Sequence, residues 1–272
     1  MHKIPINVTG TLPLGSGPQT LLPHQERIPS VRLKRGRYEM FFARTLEQLE
    51  AIMRLRYEVF CLELGEGLAD AVQTGLDRDP FDEPCQHLIV WDHRSEQMVG
   101  TYRMQTWDCV QGGLGFYTDQ EFELDRLGQD FQENNVELGR ACVAKEHRGR
   151  TVLLLLWQGL MGYLDFHGKG GFFGCSSLTS QDMGEGLRLY SQLQRAGHVH
   201  SELRTVPRSD WTCECGELGG SKVPIPRLFR SYLKQGAMIL SPPAIDREFG
   251  TIDFLTFVQV DAGHKERFDP GL

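Results

Sequence analysis

The run Glu137-Leu138-Gly139-Arg140 places a carboxylate and a guanidinium three residues apart, and a basic glycine loop, His147-Arg148-Gly149-Arg150-Thr151, follows it closely. A carboxylate can take a proton from an attacking group, and a guanidinium can hold an anionic substrate in a two-pronged grip. On an extended strand, residues three apart point to opposite faces, so Glu137 and Arg140 meet only if the strand bulges. Without a bulge each charge needs another partner. The strand is flanked by Val136, Leu138, Cys142 and Val143 and reads as central, where unpaired charge is costly. Arg56, Asp79, Asp82 and Arg103 are the residues that supply partners. On composition alone, a structural ion-pair network and an active site explain this set equally well. The loop has the parts that hold a phosphate: Gly149, backbone N–H groups at a helix start, and Arg148 and Arg150 beside them. An ordinary strand-to-helix turn with surface arginines accounts for the same residues. The G-x-x-x-x-G-K-[ST] spacing of a P-loop is absent.

The elements that must position these groups can be read from periodicity. Thr45 and Gln48 form a capping box, and Leu46, Leu49, Met53, Tyr57, Phe60 and Leu64 make an apolar stripe, which predicts a helix after Thr45 that stops at Gly65. His87–Trp91 and Met98–Met104, around a turn at Asp92–Glu96, predict a β-hairpin. Val136–Val143, the basic loop, an apolar helix over about 152–167 and Gly171–Ser176 predict a β-α-β unit with parallel neighbouring strands. A hairpin joined to such a unit gives a mixed sheet. A helix near Glu185–Ala196, a helix at Pro226–Gln235 and a strand at Asp253–Val260 complete the pattern. Residues 1–36 are rich in Pro, Gly and polar residues and read as an N-terminal arm, draped over the domain or partly disordered. Residues 37–272 read as one domain.

Composition narrows the classes. The chain has 272 residues, 40% hydrophobic and 24% charged, which suits a soluble globular fold with a full core. A formal net charge of -7 argues against nucleic acid as a partner, because neutralising phosphates needs a basic field. Locally, Arg32, Lys34, Arg35 and Arg37 could meet an acidic protein or an anionic membrane, or form a solvated loop. The seven cysteines have no framework spacing and suit reduced thiols. Cys213 and Cys215 form a C-x-C pair without partners at zinc spacing, so no metal site is expected. No secretory signal is visible, and the segment Val152–Trp157 with its apolar continuation is too short to span a bilayer, so a cytoplasmic place is expected, with peripheral contact at the inner membrane face as an option.

The series Arg56-Tyr57-Glu58-Val59-Phe60, Asp79-Pro80-Phe81-Asp82, Val99-Gly100-Thr101-Tyr102-Arg103 and Glu137-Leu138-Gly139-Arg140 resembles the acyl-homoserine-lactone autoinducer synthases. The chain resembles more closely, over roughly residues 40–258, the bacterial ornithine N-acyltransferases and relatives that acylate glycine or other amino acids. Further segments similar to that group are Gly115-Phe116-Tyr117 with Glu121-Phe122, Leu155-Leu156-Trp157-Gln158-Gly159, Phe173-Gly174-Cys175, Tyr232-Leu233-Lys234-Gln235-Gly236-Ala237 and Thr251-Ile252-Asp253-Phe254-Leu255. The autoinducer synthases carry a Trp shortly after the position of Phe60, where this chain has Glu63-Leu64-Gly65-Glu66, which puts S-adenosylmethionine use in doubt. A C-terminal extension agrees with the ornithine group.

The resemblance implies a mixed α/β GNAT fold in which two parallel strands, here 136–143 and 171–176, splay apart around a pantetheine arm. It implies transfer of a long, 3-hydroxy fatty acyl group from acyl carrier protein to the α-amine of an amino acid, ornithine first, as the opening step of ornithine lipid synthesis. Glycine, tyrosine or another amine is the alternative acceptor, and a noncatalytic adaptor for the carrier protein or a membrane is the rival from another class. No permanently bound cofactor is expected. Glu137 is the first choice of base, with Arg140 beside it. Ala141, Cys142 and Val143, with Arg148, Gly149, Arg150 and Thr151, are expected to hold the donor. Arg56, Phe60, Asp79, Asp82 and Arg103 are expected to line the acceptor side, Arg103 with Arg140 on its carboxylate, Asp79 or Asp82 on its cationic amine or side chain, and Arg56 and Phe60 at the mouth. Cys142 or Cys175 could carry the acyl group covalently, although neither has a local activator.

Overall fold

The structure, a computed structural model, describes residues 20–214 and 221–268. Its strands are β1 (Leu33–Arg35), β2 (Tyr38–Phe42), β3 (Gln86–Asp92), β4 (Gln97–Gln105), β5 (Asn135–Val143), β6 (Gly171–Leu178), β7 (Met238–Ile239), β8 (Ala244–Asp246) and β9 (Thr251–Gln259). Its helices are α1 (Leu46–Tyr57), α2 (Ala71–Thr74), α3 (Trp107–Val110), α4 (Gln129–Asn134), α5 (Arg150–His167), α6 (Met183–Arg195), α7 (Arg227–Lys234) and α8 (Ala262–Arg267). The strands form one sheet in the order β1-β2-β3-β4-β5-β6-β9-β7, with β8 also paired to β9. Along this path β5 and β6 are parallel and the other neighbours antiparallel.

Side-chain alternation divides the sheet into two buried faces. On one, α5 sets Leu155, Leu156, Leu160 and Leu164 against Leu88, Val90, Tyr102, Met104, Val136 and Phe172. Gly159 permits this close seating, since a Cβ there would come within 2.7 Å of the Leu88 side chain. On the other face, α1 places Leu49, Ile52 and Met53 over Phe41, Ile89 and Trp91. Further along that face, Phe116, Phe122, Leu124 and Phe131 cover Phe173, Leu255 and Phe257. The result is helix, sheet and helix in three layers, as the mixed α/β class requires.

The predicted hairpin is β3 and β4, and the predicted β-α-β unit is β5, α5 and β6. Thr45 and Gln48 close the expected capping box at the start of α1. The helical path runs on to Gly65, but from Glu58 to Leu64 it widens to a π-helix, with Gly65 left-handed at its end. That wider turn points Val59, Phe60 and Leu64 into the cavity described below. The described part of the N-terminal segment packs onto the domain. Leu22 and Ile28 are core residues, and Gly36, at φ 59°, helps form a two-residue turn that returns β1 onto β2. Of the basic cluster, Arg32 pairs with Glu39, Arg37 with Asp92, and Arg35 donates to Gln158, while Lys34 is exposed. Cys213 is buried and Cys215 lies outside the described residues. No helix among the described residues is long and apolar enough to cross a membrane.

Candidate active site

Strands β5 and β6 pair only over Asn135–Glu137 and Gly171–Phe173, and beyond that they part. Gly174 marks the last close approach: a Cβ there would lie 2.1 Å from the Leu138 carbonyl oxygen. The gap beyond is a cavity of about 670 Å³, lined by Leu138–Val143 from one strand and Gly174–Ser177 from the other. That size suits a small-molecule site. Arg148, Gly149 and Arg150 line the cavity at the N-terminus of α5, where no side chain caps the helix and first-turn N–H groups stay available to an anion. Leu153, Leu156, Trp157, Phe172 and Tyr232 form an apolar wall. Arg103, Arg140, Asp246 and Asp253 add a polar region. One cavity therefore offers an anion-binding helix start, a greasy wall and charged groups.

The strand bulges, as bringing Glu137 and Arg140 to one face requires. Arg103 pairs with Gly139 but Thr101 pairs with Cys142, so β5 carries one extra residue there. Arg140 takes the left-handed φ of 47°, an uncommon conformation for a side-chain residue. It thereby joins the face that carries Glu137, and its guanidinium sits 5.0 Å from the Tyr117 ring and 4.5 Å from the Phe249 ring.

On that face three arginines meet three aspartates. Arg56 Nε donates to Asp77 at 2.6 Å and its Nη1 to Asp82 at 2.5 Å. Arg103 Nη1 donates to Asp79 at 2.6 Å, and Arg140 Nη2 donates to the other Asp79 oxygen at 2.9 Å. Burial by itself would push the carboxyls up, but Arg56 and Arg103 outweigh it and hold Asp82 well below the usual carboxylate range. Arg103 and Arg140 do the same for Asp79, in the same downward direction. Asp79 and Asp82, expected to face the cationic group of an acceptor, thus already face Arg56, Arg103 and Arg140. Arg56 is fully buried and shapes the site from behind, whereas Phe60, Arg103 and Arg140 line the cavity. Arg103 Nη2 has no hydrogen-bond partner among the described residues.

Glu137 is 4% exposed and accepts four hydrogen bonds. Gln105 Nε2 donates at 2.5 Å, the Tyr117 and Thr118 amides at 3.0 and 2.8 Å, and Thr118 Oγ1 at 2.6 Å. A carboxylate has about four acceptor sites, so no lone pair is left to take a proton from an amine. Glu137, expected as the base, thus fixes the Tyr117–Thr118 segment under Arg140. Burial pushes the Cys142 thiol up to about 12 and the Cys175 thiol well above its ordinary value. Both stay protonated near neutrality and are poor nucleophiles.

Of the expected donor residues, Ala141, Cys142, Val143, Arg148, Gly149 and Arg150 line the cavity. Thr151 does not: it lies in the first turn of α5 and is exposed. Arg148 grips Glu63 with both Nη groups, at 2.6 and 2.8 Å, while Arg150 is exposed. Asp77, Gln105 and Thr118 were not anticipated, and neither was a role for Tyr117, Glu121 or Asp253. Tyr117, Glu121 and Asp253 lie in segments that resemble the acyltransferases, whereas Asp77, Gln105 and Thr118 lie just outside them.

A family model described as an acetyltransferase (GNAT) domain matches residues 55–158. The chain is 31% identical over 249 residues to an L-ornithine N(alpha)-acyltransferase of Brucella abortus (strain 2308), covering 83% of this chain and 85% of that one. It is 30% identical over 236 residues to an L-ornithine N(alpha)-acyltransferase of Rhizobium meliloti (strain 1021), covering 82% and 80%. A solved CoA-dependent acyl-homoserine lactone synthase overlaps 84% of each chain at 13% identity, with a TM-score of 0.48.

Proposed function

Because this chain belongs to the L-ornithine N(alpha)-acyltransferase family and is an acyltransferase with a GNAT domain, we propose that it moves a long fatty acyl group from the phosphopantetheine of acyl carrier protein directly to the α-amine of ornithine. The observation that carries this reading is the cavity between β5 and β6, with a helix N-terminus, an apolar wall and charged groups around it. The phosphate of the arm would lie at Arg150 and the N–H groups of α5, and the thioester between the parted strands. Backbone N–H groups of the Ala141–Val143 stretch would polarise its carbonyl. Arg103, whose Nη2 is unpartnered among the described residues, would take the acceptor's carboxylate. A neutral amine is needed for attack, and the reference pKa of an α-amine, about 7.7–8.0, leaves a usable neutral fraction at neutral pH. The amine then forms the amide bond, the carbon–sulfur bond breaks, and the carrier leaves as a free thiol.

Thiol release from a 3-hydroxyacyl carrier protein tests this, with ornithine, glycine, tyrosine or no amine added and mass detection of the product. Acylated ornithine is the expected product; acylated glycine or tyrosine instead would move the acceptor, and no turnover with any amine would favour a noncatalytic adaptor. A second result is expected from the high thiol values of Cys142 and Cys175. Incubation with donor and no amine should leave the protein's intact mass unchanged, whereas an acyl adduct on either cysteine would replace direct transfer by a covalent route.

A further inference from the structure

Resting on the acceptor reading above, we propose that Asp253, with Glu121 behind it, is the subsite for the side-chain ammonium of a diamino acid acceptor and so decides which amine is acylated. Asp253 and Cys175 line the cavity from β9 and β6. One ligand atom each from Glu121, Cys175 and Asp253 lies within 4.8 Å of the others. Glu121 is 1% exposed and Asp253 4%, yet Glu121 Oε1 and Asp253 Oδ1 have no hydrogen-bond partner among the described residues.

The other two oxygens are lightly served. Ser177 hydrogen-bonds to the Asp253 carboxyl, Thr251 Oγ1 donates to its Oδ2 at 3.2 Å, and the Cys175 thiol donates to Glu121 Oε2 at 3.7 Å. The contrast with the rest of the face is sharp: Glu137 has four donors, and Asp79 and Asp82 have guanidinium groups. A buried carboxylate oxygen without a partner is costly and calls for an explanation such as a missing ligand. An ammonium donates at about 2.9 Å, and one oxygen of Asp253 lies within 4.8 Å of one of Glu121 behind it, so both charges act on a nitrogen held at Asp253. Arg103 offers the complementary charge for the carboxylate of the same molecule.

The surroundings favour a cation. Burial, with Asp246 and Glu66 adding repulsion against Ser177 and Thr251, pushes Asp253 up to about 7. Burial, Asp253 and Asp246 push Glu121 well above its ordinary value, with the Cys175 thiol and Arg140 opposing. Without a ligand the pair holds a proton near neutrality. An incoming ammonium favours the ionised form, so the grip on a diamino acid should strengthen as pH rises through about 7.

The test compares kcat/KM for ornithine with that for norvaline, which has the same carbon skeleton without the side-chain amine. The natural protein should prefer ornithine by about 10²-fold or more, and the preference should grow with pH. Asp253→Asn and Glu121→Gln should each shrink the ratio at least about tenfold. Equal losses on both substrates would mean a role in chemistry or folding and overturn the proposal, as would an unchanged ratio. If a variant fails to fold, the natural protein still decides, because a ratio that stays flat from roughly pH 6 to 8 overturns it. Activity lost to a chelator and restored by Zn²⁺ would make the bound cation a metal and likewise overturn it. Norvaline turned over as fast as ornithine removes this subsite alone, whereas no turnover of any amine removes the acyl-transfer reading as well.

Discussion

Replacing Arg56 by alanine is expected to destabilise the protein by about 3–5 kcal/mol, because removing one partner of a buried ion pair leaves uncompensated charge. Arg56 is fully buried and serves Asp77 and Asp82 through four hydrogen bonds, one of them to the Asp77 carbonyl. In urea the midpoint should fall with little change in slope, since the surface exposed on unfolding is nearly the same. Arg56→Lys should fall between, as a point charge cannot reproduce the fork. The defect should narrow in acid. Asp79 and Asp82 are held below their unfolded values by the arginines, so the stability they contribute is present above about pH 4 and is lost as pH falls through the folded values. Protonation weakens the natural protein there, while in the variant it relieves Asp82, which has lost Arg56 and keeps only Arg103. A loss below about 1 kcal/mol would mean that the network does not hold this face together.

The second large effect is on turnover. Glu137→Ala should cost about 10²-fold or more in kcat/KM, because misplacing a site by even an ångström is that expensive. It should also destabilise the fold by roughly 3 kcal/mol, as donors from Gln105, Tyr117 and Thr118 lose a shared acceptor. Glu137→Gln should lose both as well, to a smaller degree, since its amide would present N–H groups to N–H donors. A fall in kcat with an unchanged urea midpoint would instead return Glu137 to the role of base. Paired measurement of activity and denaturation on the same variant separates the two.

These effects concern one wall of the cavity, and they explain its division of labour. The arginines cannot all recognise substrate, because they are consumed in neutralising Asp77, Asp79 and Asp82. Arg103 lines the cavity and keeps Nη2 outside any ion pair and without a hydrogen-bond partner among the described residues. Glu121 and Asp253, each with one carboxylate oxygen that has no hydrogen-bond partner among the described residues, lie on the same face of the sheet but further along it, toward β9. Selectivity for the acceptor can thus be changed at Asp253 and Glu121 without breaking the network around Arg56.

The residues themselves determined the local elements. The capping box at Thr45 and Gln48, the apolar helix α5 between two strands, and the hairpin of β3 and β4 follow from spacing within a few residues. The short strands β1, β7 and β8 were not legible, because two or three residues carry no period. Nor could alternation alone place Arg140. Its side depends on an extra residue in β5 and a left-handed φ, and these are stable only because Tyr117, Phe249 and Asp79 receive the guanidinium. The same holds for every charge in the site: Arg56 meets Asp82 across 26 residues, Gln105 meets Glu137 across 32, and Cys175 meets Glu121 across 54. Sequence supplied the charges and the segments that carry them. Which charge is neutralised and which is left for a substrate was decided by the tertiary structure, because burial and pairing are properties of contacts between segments and not of the segments themselves.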